Sequence, residues 1–194
     1  MNGWELCRRI KADLRFSHIP VVILTARNGD EDRITTYEVG ADGYIAKPFE
    51  LKELYAQIVN LIKLYKARQD AFRKEENTNV ENIHQSADKQ FLQSVIRCIE
   101  EHLEQSDFDL ELLSSILSMS KSTLHRKIKS ITGLTPLDFI RNIKMKQACM
   151  MLTAGKLTIS EIAYALGFND PKYFTKCFKS EFDITPSEYQ RRHR

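Results

Sequence analysis

SKSTLHRKIKSITGLTPLDFIRN, residues 120–142, and DPKYFTKCFKSEFDITPSEYQRR, residues 170–192, are two copies of one pattern, 50 residues apart. Both copies carry a Lys-Ser pair followed by a Thr-Pro pair at matching positions. A repeat of this length is typical of a duplicated supersecondary unit, so we expect a two-lobed domain. At the same offset the alignment extends upstream and pairs Glu111 with Glu161, Leu112 with Ile162, and Ile116 with Leu166.

Each copy predicts two short helices joined by a tight turn. In the second copy, apolar residues recur at helical spacing from Thr158 to Leu166, and Gly167 is expected to end that helix. Asp170 and Pro171 then form a strong signal for the start of the next helix. The predicted helix-turn-helix motifs span 109–130 and 159–182, and the second helix of such a motif can enter a DNA major groove.

The predicted outer faces of the second helices are basic. Residues 118–147 contain seven Lys or Arg side chains and one acidic residue, Asp138. The seven basic residues are Lys121, Arg126, Lys127, Lys129, Arg141, Lys144 and Lys146. A single charged face often only meets solvent. Two basic faces in register within a repeat, each following a turn signal, favour DNA binding.

The stretch ISEIAYALGFNDPKYFTKCFKSEFDITPSEY, residues 159–189, resembles the signature of the AraC/XylS family of transcription activators. The resemblance covers 90–192, taken as an all-α DNA-binding domain. It implies that a helix over Pro136–Ala154 holds two recognition helices on one side of the DNA. Asp183 stands where the family usually has Gly, at the end of a recognition helix. Asp tolerates the left-handed conformation that such a position needs.

By that resemblance, two sets of side chains contact DNA. The residues expected to face base edges are Ser122, Thr123, His125, Arg126, Lys172, Tyr173, Thr175 and Lys176. The residues expected to contact phosphates are Lys121, Lys129 and Lys179. The expected partner is double-stranded promoter DNA, bound in successive major grooves, and RNA polymerase is a further candidate partner.

Residues 1–66 predict a different kind of structure. PVVILTA, residues 20–26, is a short apolar run rich in β-branched residues, as in a buried parallel strand. Gly43–Ala46 predicts a second strand, and helices are expected over Trp4–Asp13, Asp30–Val39 and Glu50–Tyr65. This alternation predicts a parallel α/β arrangement. The predicted fold class is therefore mainly α, with a partial α/β segment at the amino-terminal end.

The amino-terminal segment resembles the C-terminal half of a CheY-like receiver domain, through Asn2-Gly3, PVVILTA and the GADGYIAKPF run, residues 40–49. The resemblance implies that Thr25 is the hydroxyl that moves toward a phosphoryl group. Lys47 would be the lysine that pairs with it, and Tyr44 the aromatic that changes rotamer. It also places the phosphoacceptor aspartate and the Mg²⁺-binding acids upstream of Met1, so these three residues are expected to be remnants of a switch.

A receiver followed by an AraC-type domain resembles the end of hybrid two-component regulators of Bacteroides-like bacteria, many of which control polysaccharide use. The resemblance implies that the chain is a fragment of such a regulator.

Residues 67–89 are predicted to be a linker, since their centre is polar and poor in large apolar side chains.

The composition excludes only some classes of protein, and it narrows the choice among the others. The net charge is +3, and the four cysteines show no metal-ligand spacing, which favours reduced thiols in the cytoplasm. No apolar run is long enough to span a membrane, so no membrane contact is expected. No catalytic triad, metal cluster or phosphate-binding glycine loop is visible, so we expect neither an enzyme nor a cofactor.

One alternative stays open beside the DNA-binding regulator. The receiver remnant could serve as a protein-interaction module without its own signal input, forming a homodimer through its last helix.

Overall fold

The computed structural model describes residues 2–27, 29–74 and 86–193. These residues form two compact units. The first comprises Met1–Leu92 with Thr123–Leu134, and the second comprises Gln93–Ser122 with Thr135–Arg194. Helices dominate both units, which confirms the predicted fold class.

The amino-terminal segment alternates helices and strands as predicted. Its elements are α1 (Gly3–Ala12), β1 (Val22–Thr25), α2 (Asp30–Glu38), β2 (Gly43–Ala46) and α3 (Leu51–Lys74). The two strands pair in parallel, with Val22 opposite Gly43 and Thr25 opposite Ala46. The parallel pairing confirms the prediction from the apolar, β-branched run.

A small core holds this segment together. Cys7 of α1 packs with Ile23, Val39 and Ala41, all buried. Trp4 covers the edge of this core, and its indole nitrogen donates to Thr36 Oγ1 at 2.9 Å. The indole therefore buries its apolar surface while its one donor is satisfied.

Helix boundaries in this segment differ from the prediction. Helix α1 begins one residue earlier than predicted, at Gly3, because Asn2 is its N-cap, where the Asn2 Oδ1 accepts from the Glu5 amide at 2.9 Å. Helix α3 continues to Lys74, beyond the predicted end at Tyr65. The predicted linker, 67–89, is therefore too long, because 67–74 belong to α3 and 86–89 to the next helix, α4 (Ser86–Glu101). Its remaining residues, 75–85, lie outside the described residues.

Seven further helices follow among the described residues, and they include those predicted for the two helix-turn-helix motifs and for Pro136–Ala154. They are α4 (Ser86–Glu101), α5 (Leu110–Ile116), α6 (Lys121–Thr132), α7 (Pro136–Ala154), α8 (Ile159–Ala165), α9 (Pro171–Phe182) and α10 (Pro186–Arg192). The expected start signal of α9 is confirmed, because Asp170 Oδ1 accepts from the Lys172 amide at 2.9 Å and Pro171 occupies the first turn. Asp183 ends α9 in the left-handed conformation, with φ of 59°, also as expected.

The leading helices of the two repeats align one residue away from the predicted register. The buried residues of α5 are Leu113 and Ser114, and those of α8 are Ile162 and Ala163. Ile162 therefore corresponds to Leu113, and the predicted pairing with Leu112 was wrong.

The cause is the length of the turns. Residues 117–120 separate α5 from α6, whereas residues 166–170 separate α8 from α9. The second turn is one residue longer. The distance in sequence from α5 to α8 is therefore one residue shorter than the distance from α6 to α9. Ser118 and Gly167 take positive φ at the equivalent place in each turn, 51° and 69°.

The second unit has an apolar core built from α7, α8 and α9. Its buried members are Met145, Ala148, Leu152, Ile162, Ala163, Leu166, Phe174 and Phe178. Phe168, Phe182 and Tyr189 pack around it, with ring centroids 4.6 Å apart for Phe178 and Phe182. This core fixes α9 through its apolar side and leaves the opposite side free for polar residues.

The four cysteines form no disulfide. Cys7 and Cys98 are buried, and burial raises the pKa of both thiols. Cys149 and Cys177 are half-buried.

Candidate nucleic-acid interface

Helix α6 presents polar side chains on the sides that its core residues leave open. Leu124 and Ile128 are fully buried. Of the residues predicted to face bases, Ser122 and Arg126 are exposed, and Thr123 and His125 are half-buried. Ser122 and Arg126 lie four residues apart, so both belong to one face of the helix.

The side chains predicted to contact phosphates from α6 are also exposed. Lys121 forms an ion pair of 2.8 Å with Glu111, in which both side chains are more than half exposed. Such a pair contributes little to stability and exchanges readily. Lys121 can therefore leave Glu111 for a phosphate at small cost. Lys129 lies in the last turn of α6.

Helix α9 carries the second candidate face. Lys172, Tyr173 and Lys176 are exposed, and so is Lys179 in the last turn. Thr175 is half-buried, and its hydroxyl donates to the Pro171 carbonyl at 2.9 Å. The Thr175 hydroxyl therefore already has a partner within the helix, while its methyl group remains available for an apolar contact.

Tyr173 has neighbours that orient its phenol. A side-chain hydrogen bond with Cys177 raises the pKa of the Tyr173 hydroxyl, which also interacts with Arg141. The Tyr173 ring lies 6.1 Å from the ring of Phe168. The phenol thus stays neutral near pH 7 and stands on α9 as a hydrogen-bonding group with an apolar body.

Two of the seven cations counted in the sequence are not on the surface. Lys127 is fully buried and Lys144 is almost so. Lys144 Nζ lies 5.7 Å from the ring centroid of Phe168, and burial lowers the pKa of its ammonium. The count therefore overstated the charge that this stretch presents to solvent.

Lys127 is held by polar groups of its own unit. Its Nζ donates to Ser17 Oγ at 2.7 Å and to the Leu14 carbonyl, and it lies 3.2 Å from Asp88 Oδ1. The same Nζ is 4.5 Å from the ring centroid of Phe91. Burial lowers the pKa of Lys127, and the Asp88 carboxylate opposes that shift. A buried ammonium needs such partners. The sequence did not reveal this burial, because Lys127 stands in the same basic run as its exposed neighbours.

Two of the three predicted switch residues lie at the carboxyl ends of the strands, and the third, Tyr44, is the second residue of β2. Thr25 ends β1 and Lys47 follows β2, with the Lys47 amide donating to the Thr25 carbonyl at 2.6 Å. The Thr25 hydroxyl accepts from the Arg27 amide at 3.1 Å. The Tyr44 hydroxyl donates to the Arg27 carbonyl. The proposed roles of these residues in phosphoryl signalling stay predictions.

Comparisons with known proteins identify both parts of the chain. Residues 113–192 match the family described as "Helix-turn-helix domain", and residues 1–59 match "Response regulator receiver domain". The chain therefore combines an AraC-type helix-turn-helix domain with a response regulator receiver segment, which confirms the resemblance of each of these two segments.

Individual proteins are similar to parts or all of the chain. The whole chain is 40% identical to a part of "Histidine kinase P4" of Formosa agariphila, and it spans 14% of that protein. A stretch of 94 residues, 48% of the chain, is 40% identical to "HTH-type transcriptional activator RhaS" of Mannheimia succiniciproducens and covers 35% of it. The C-terminal domain of AraT, a response regulator from Geobacillus stearothermophilus, is similar over 52% of this chain and 84% of that one, with 31% identity and a TM-score of 0.49.

Among the residues that the structure describes, no helix combines the length and apolarity required to cross a bilayer.

Proposed function

We propose that the chain is a sequence-specific DNA-binding transcription regulator in which α6 and α9 enter successive major grooves. The observation that carries the proposal is the repeated helix-turn-helix with exposed basic residues on each second helix. Arg126 and Lys176 occupy equivalent positions, and their cationic ends suit the acceptors of guanine. Ser122, Thr123, His125, Lys172, Tyr173 and Thr175 complete the base-facing set, and Lys121, Lys129 and Lys179 supply phosphate contacts.

The finer role rests on the relatives and on the sequence resemblance. We propose that the regulator activates transcription, as the name of the RhaS relative says of that protein. We further propose that it acts in the cytoplasm as part of a hybrid two-component regulator of polysaccharide-utilisation genes, recruiting RNA polymerase. The 40% identity of the whole chain to part of a histidine kinase supports the two-component assignment.

A selection experiment tests the DNA-binding proposal. The full chain is used to recover duplexes from a random-sequence pool, and the recovered duplex is compared with its scrambled version in a mobility-shift titration at fixed salt. We expect a shared sequence motif and clearly tighter binding of the recovered duplex. Equal binding of both duplexes would show that the contacts are non-specific and would refute base readout.

A second candidate function is self-association through α3. Leu51, Tyr55, Ile58 and Ile62 are large apolar side chains that stay exposed, Leu51 by 79%. Their spacing of four, three and four residues places them on one stripe, as in a coiled-coil seam. We propose that a second copy of the chain covers this stripe.

Sedimentation of single variants tests self-association. Ile62→Asp places a charge in the stripe and is expected to shift the chain toward monomer. Leu64→Asp is the matched control, because Leu64 is an exposed apolar residue of the same helix that lies off the stripe. A wild-type chain that is monomeric at all accessible concentrations would exclude this function.

A further inference from the structure

A small cavity lies within the first compact unit, between the loop that follows α1 and the first half of α6. Its volume is about 260 Å³. The residues that line it are Arg15, Phe16, His18, Ile19, Thr123 and Arg126, and none of these described residues is acidic. Two guanidinium groups and one imidazole therefore surround a single space.

The loop that forms one wall of the cavity is held in a defined shape. The Phe16 and Ser17 amides both donate to the Asp13 carbonyl at 2.9 Å. Lys11 Nζ donates to the Ile19 carbonyl, also at 2.9 Å. A ligand in the cavity would therefore not have to order this wall first, which lowers the free energy that binding costs.

His18 shows that this wall lacks a polar partner. The side chain is only 9% exposed, and among the described residues its Nδ1 has no hydrogen-bond partner. A buried polar atom without a partner is unfavourable, and in a folded chain such an atom often marks the place of a bound ion or water. A ligand with hydrogen-bonding oxygens beside His18 would remove this cost.

The arginines decide the charge of the ligand. Among the described residues, Arg126 forms no ion pair. Arg15 Nε and Nη2 donate to the Asp13 carboxylate at 3.0 and 2.7 Å, which leaves its Nη1 for another acceptor. Guanidinium groups match the oxygens of phosphate in geometry and in charge, so the lining favours an anion of this type.

The pKa of His18 agrees with a positive potential at the cavity. Burial lowers this pKa to about 4, with further lowering by Lys127, Arg126 and Lys11. The Asp88 carboxylate acts in the opposite direction and does not outweigh them. An anion in the cavity would oppose the effect of these cations.

We propose that this cavity binds a small free anion of the phosphate type, held by Arg15, His18 and Arg126. Pockets for drug-sized ligands begin near about 300 Å³, so the cavity has room for inorganic phosphate or a small phosphate monoester but not for a nucleotide. This site is separate from the proposed reading of DNA, although Arg126 belongs to both sets of residues. The test therefore uses the chain without DNA.

A titration followed by NMR tests the site in the full chain. The imidazole signals of His18 are assigned by their absence from the spectrum of His18→Gln. We expect inorganic phosphate to shift them in a saturable way, and chloride at equal ionic strength to leave them in place. Saturating phosphate should also raise the pKa of His18 toward the usual histidine value, because an anion stabilises the imidazolium. Shifts that chloride reproduces would overturn the site.

Two variants of the loop test which residues hold the anion. Asp13→Asn removes the carboxylate that competes for Arg15, while its amide oxygen can still accept from the Arg15 amide, as Asp13 Oδ1 does at 2.8 Å. Phosphate should bind this chain roughly 2- to 5-fold more tightly, the range that an exposed ion pair permits. Arg15→Gln should weaken binding by a similar factor.

Asp30→Asn is the matched control, because Asp30 also pairs with an arginine, Arg33, at 4.0 Å, and does not line the cavity. Its phosphate affinity should equal that of the wild type. An equal gain in Asp30→Asn and Asp13→Asn would show a general effect of net charge, and unchanged affinity in both loop variants would place the phosphate elsewhere. Either result would overturn the proposal.

Esters of phosphate distinguish a free anion from the DNA backbone as the source of the ligand. Methyl phosphate, a monoester, should bind about as well as inorganic phosphate. Dimethyl phosphate, a diester like the backbone, should bind more weakly, since it carries one charge and only two free oxygens. Equal binding of the diester would assign the cavity to the DNA backbone instead. Failure of the proposed DNA-binding function appears only in the selection experiment, so the two failures are distinguishable.

Discussion

Arg126 and Lys176 occupy equivalent positions in α6 and α9, and both side chains are exposed. Arg126→Ala should cost about 1–3 kcal/mol of DNA-binding free energy and relax the preference at one base position. The measurement is a titration against the recovered duplex and a set of single-base variants. Arg97→Ala, an exposed arginine on α4, is the control and should change neither quantity. Unchanged base preference in the Arg126 variant would remove this residue from the reading face.

Lys179 tests the phosphate contacts, because it lies exposed in the last turn of α9. Lys179→Ala should weaken all duplexes by a similar factor and reduce the slope of log affinity against log salt by about one unit. The slope comes from titrations at several salt concentrations. A selective loss for one sequence would instead mean that Lys179 reads a base.

At the scale of single elements, Gly167 and Asp183 are the two residues of the second repeat with positive φ, and they differ in the substitutions they tolerate. Gly167 has φ of 69°, and a Cβ there would lie 2.7 Å from the Leu103 carbonyl oxygen and 2.8 Å from that of Gln105. Gly167→Ala should therefore destabilise the chain by about 2 kcal/mol or more, since backbone strain and a backbone clash both act against it.

Asp183→Gly is the contrasting change at the other position. Its φ of 59° lies in the same region, where glycine is favoured, so the variant should be equally stable or up to about 1 kcal/mol more stable. Urea unfolding of both variants beside the wild type gives the two differences. A Gly167→Ala chain as stable as the wild type would mean that residues 103–105 move away easily.

These elements also show what the sequence could and could not predict. Helix caps and glycine positions depend on neighbouring residues, so Asp170 and Gly167 were placed correctly from the local pattern, whereas the left-handed Asp183 was expected from the family resemblance. The register of α5 was wrong because a one-residue change in a turn leaves the helical periodicity intact. The burial of Lys127 was missed because its partners, Ser17 and Asp88, are distant in sequence and carry no signal that points to α6.

At the scale of the whole molecule, the structure predicts that the folded chain becomes less stable in mild acid. His18 is buried, and among the described residues its Nδ1 has no hydrogen-bond partner. Burial, with a smaller effect of Lys127, lowers the pKa of the imidazole to about 4, whereas Asp88 acts in the opposite direction. Between about pH 6.5, the usual histidine value, and pH 4, the unfolded chain then binds more protons than the folded one.

The folded state should therefore lose stability as the pH falls through this window, at a rate of up to roughly 1.4 kcal/mol per pH unit from this group. His18→Gln should flatten the dependence. Urea midpoints of both chains at several pH values provide the measurement. Equal pH dependence in the two chains would show that other groups cause the acid sensitivity.

The uneven burial of the cysteines gives the native chain two classes of chemical reactivity. Only the thiolate attacks a maleimide, so the buried Cys7 and Cys98, with their raised pKa values, should react slowly. Cys177 is half-buried on α9, three residues from Phe174 in the core and beside Lys176 on the candidate DNA face. The rate at which a maleimide modifies Cys177 should therefore fall when a duplex binds to α9. This rate reports DNA binding without any cysteine being introduced into the chain.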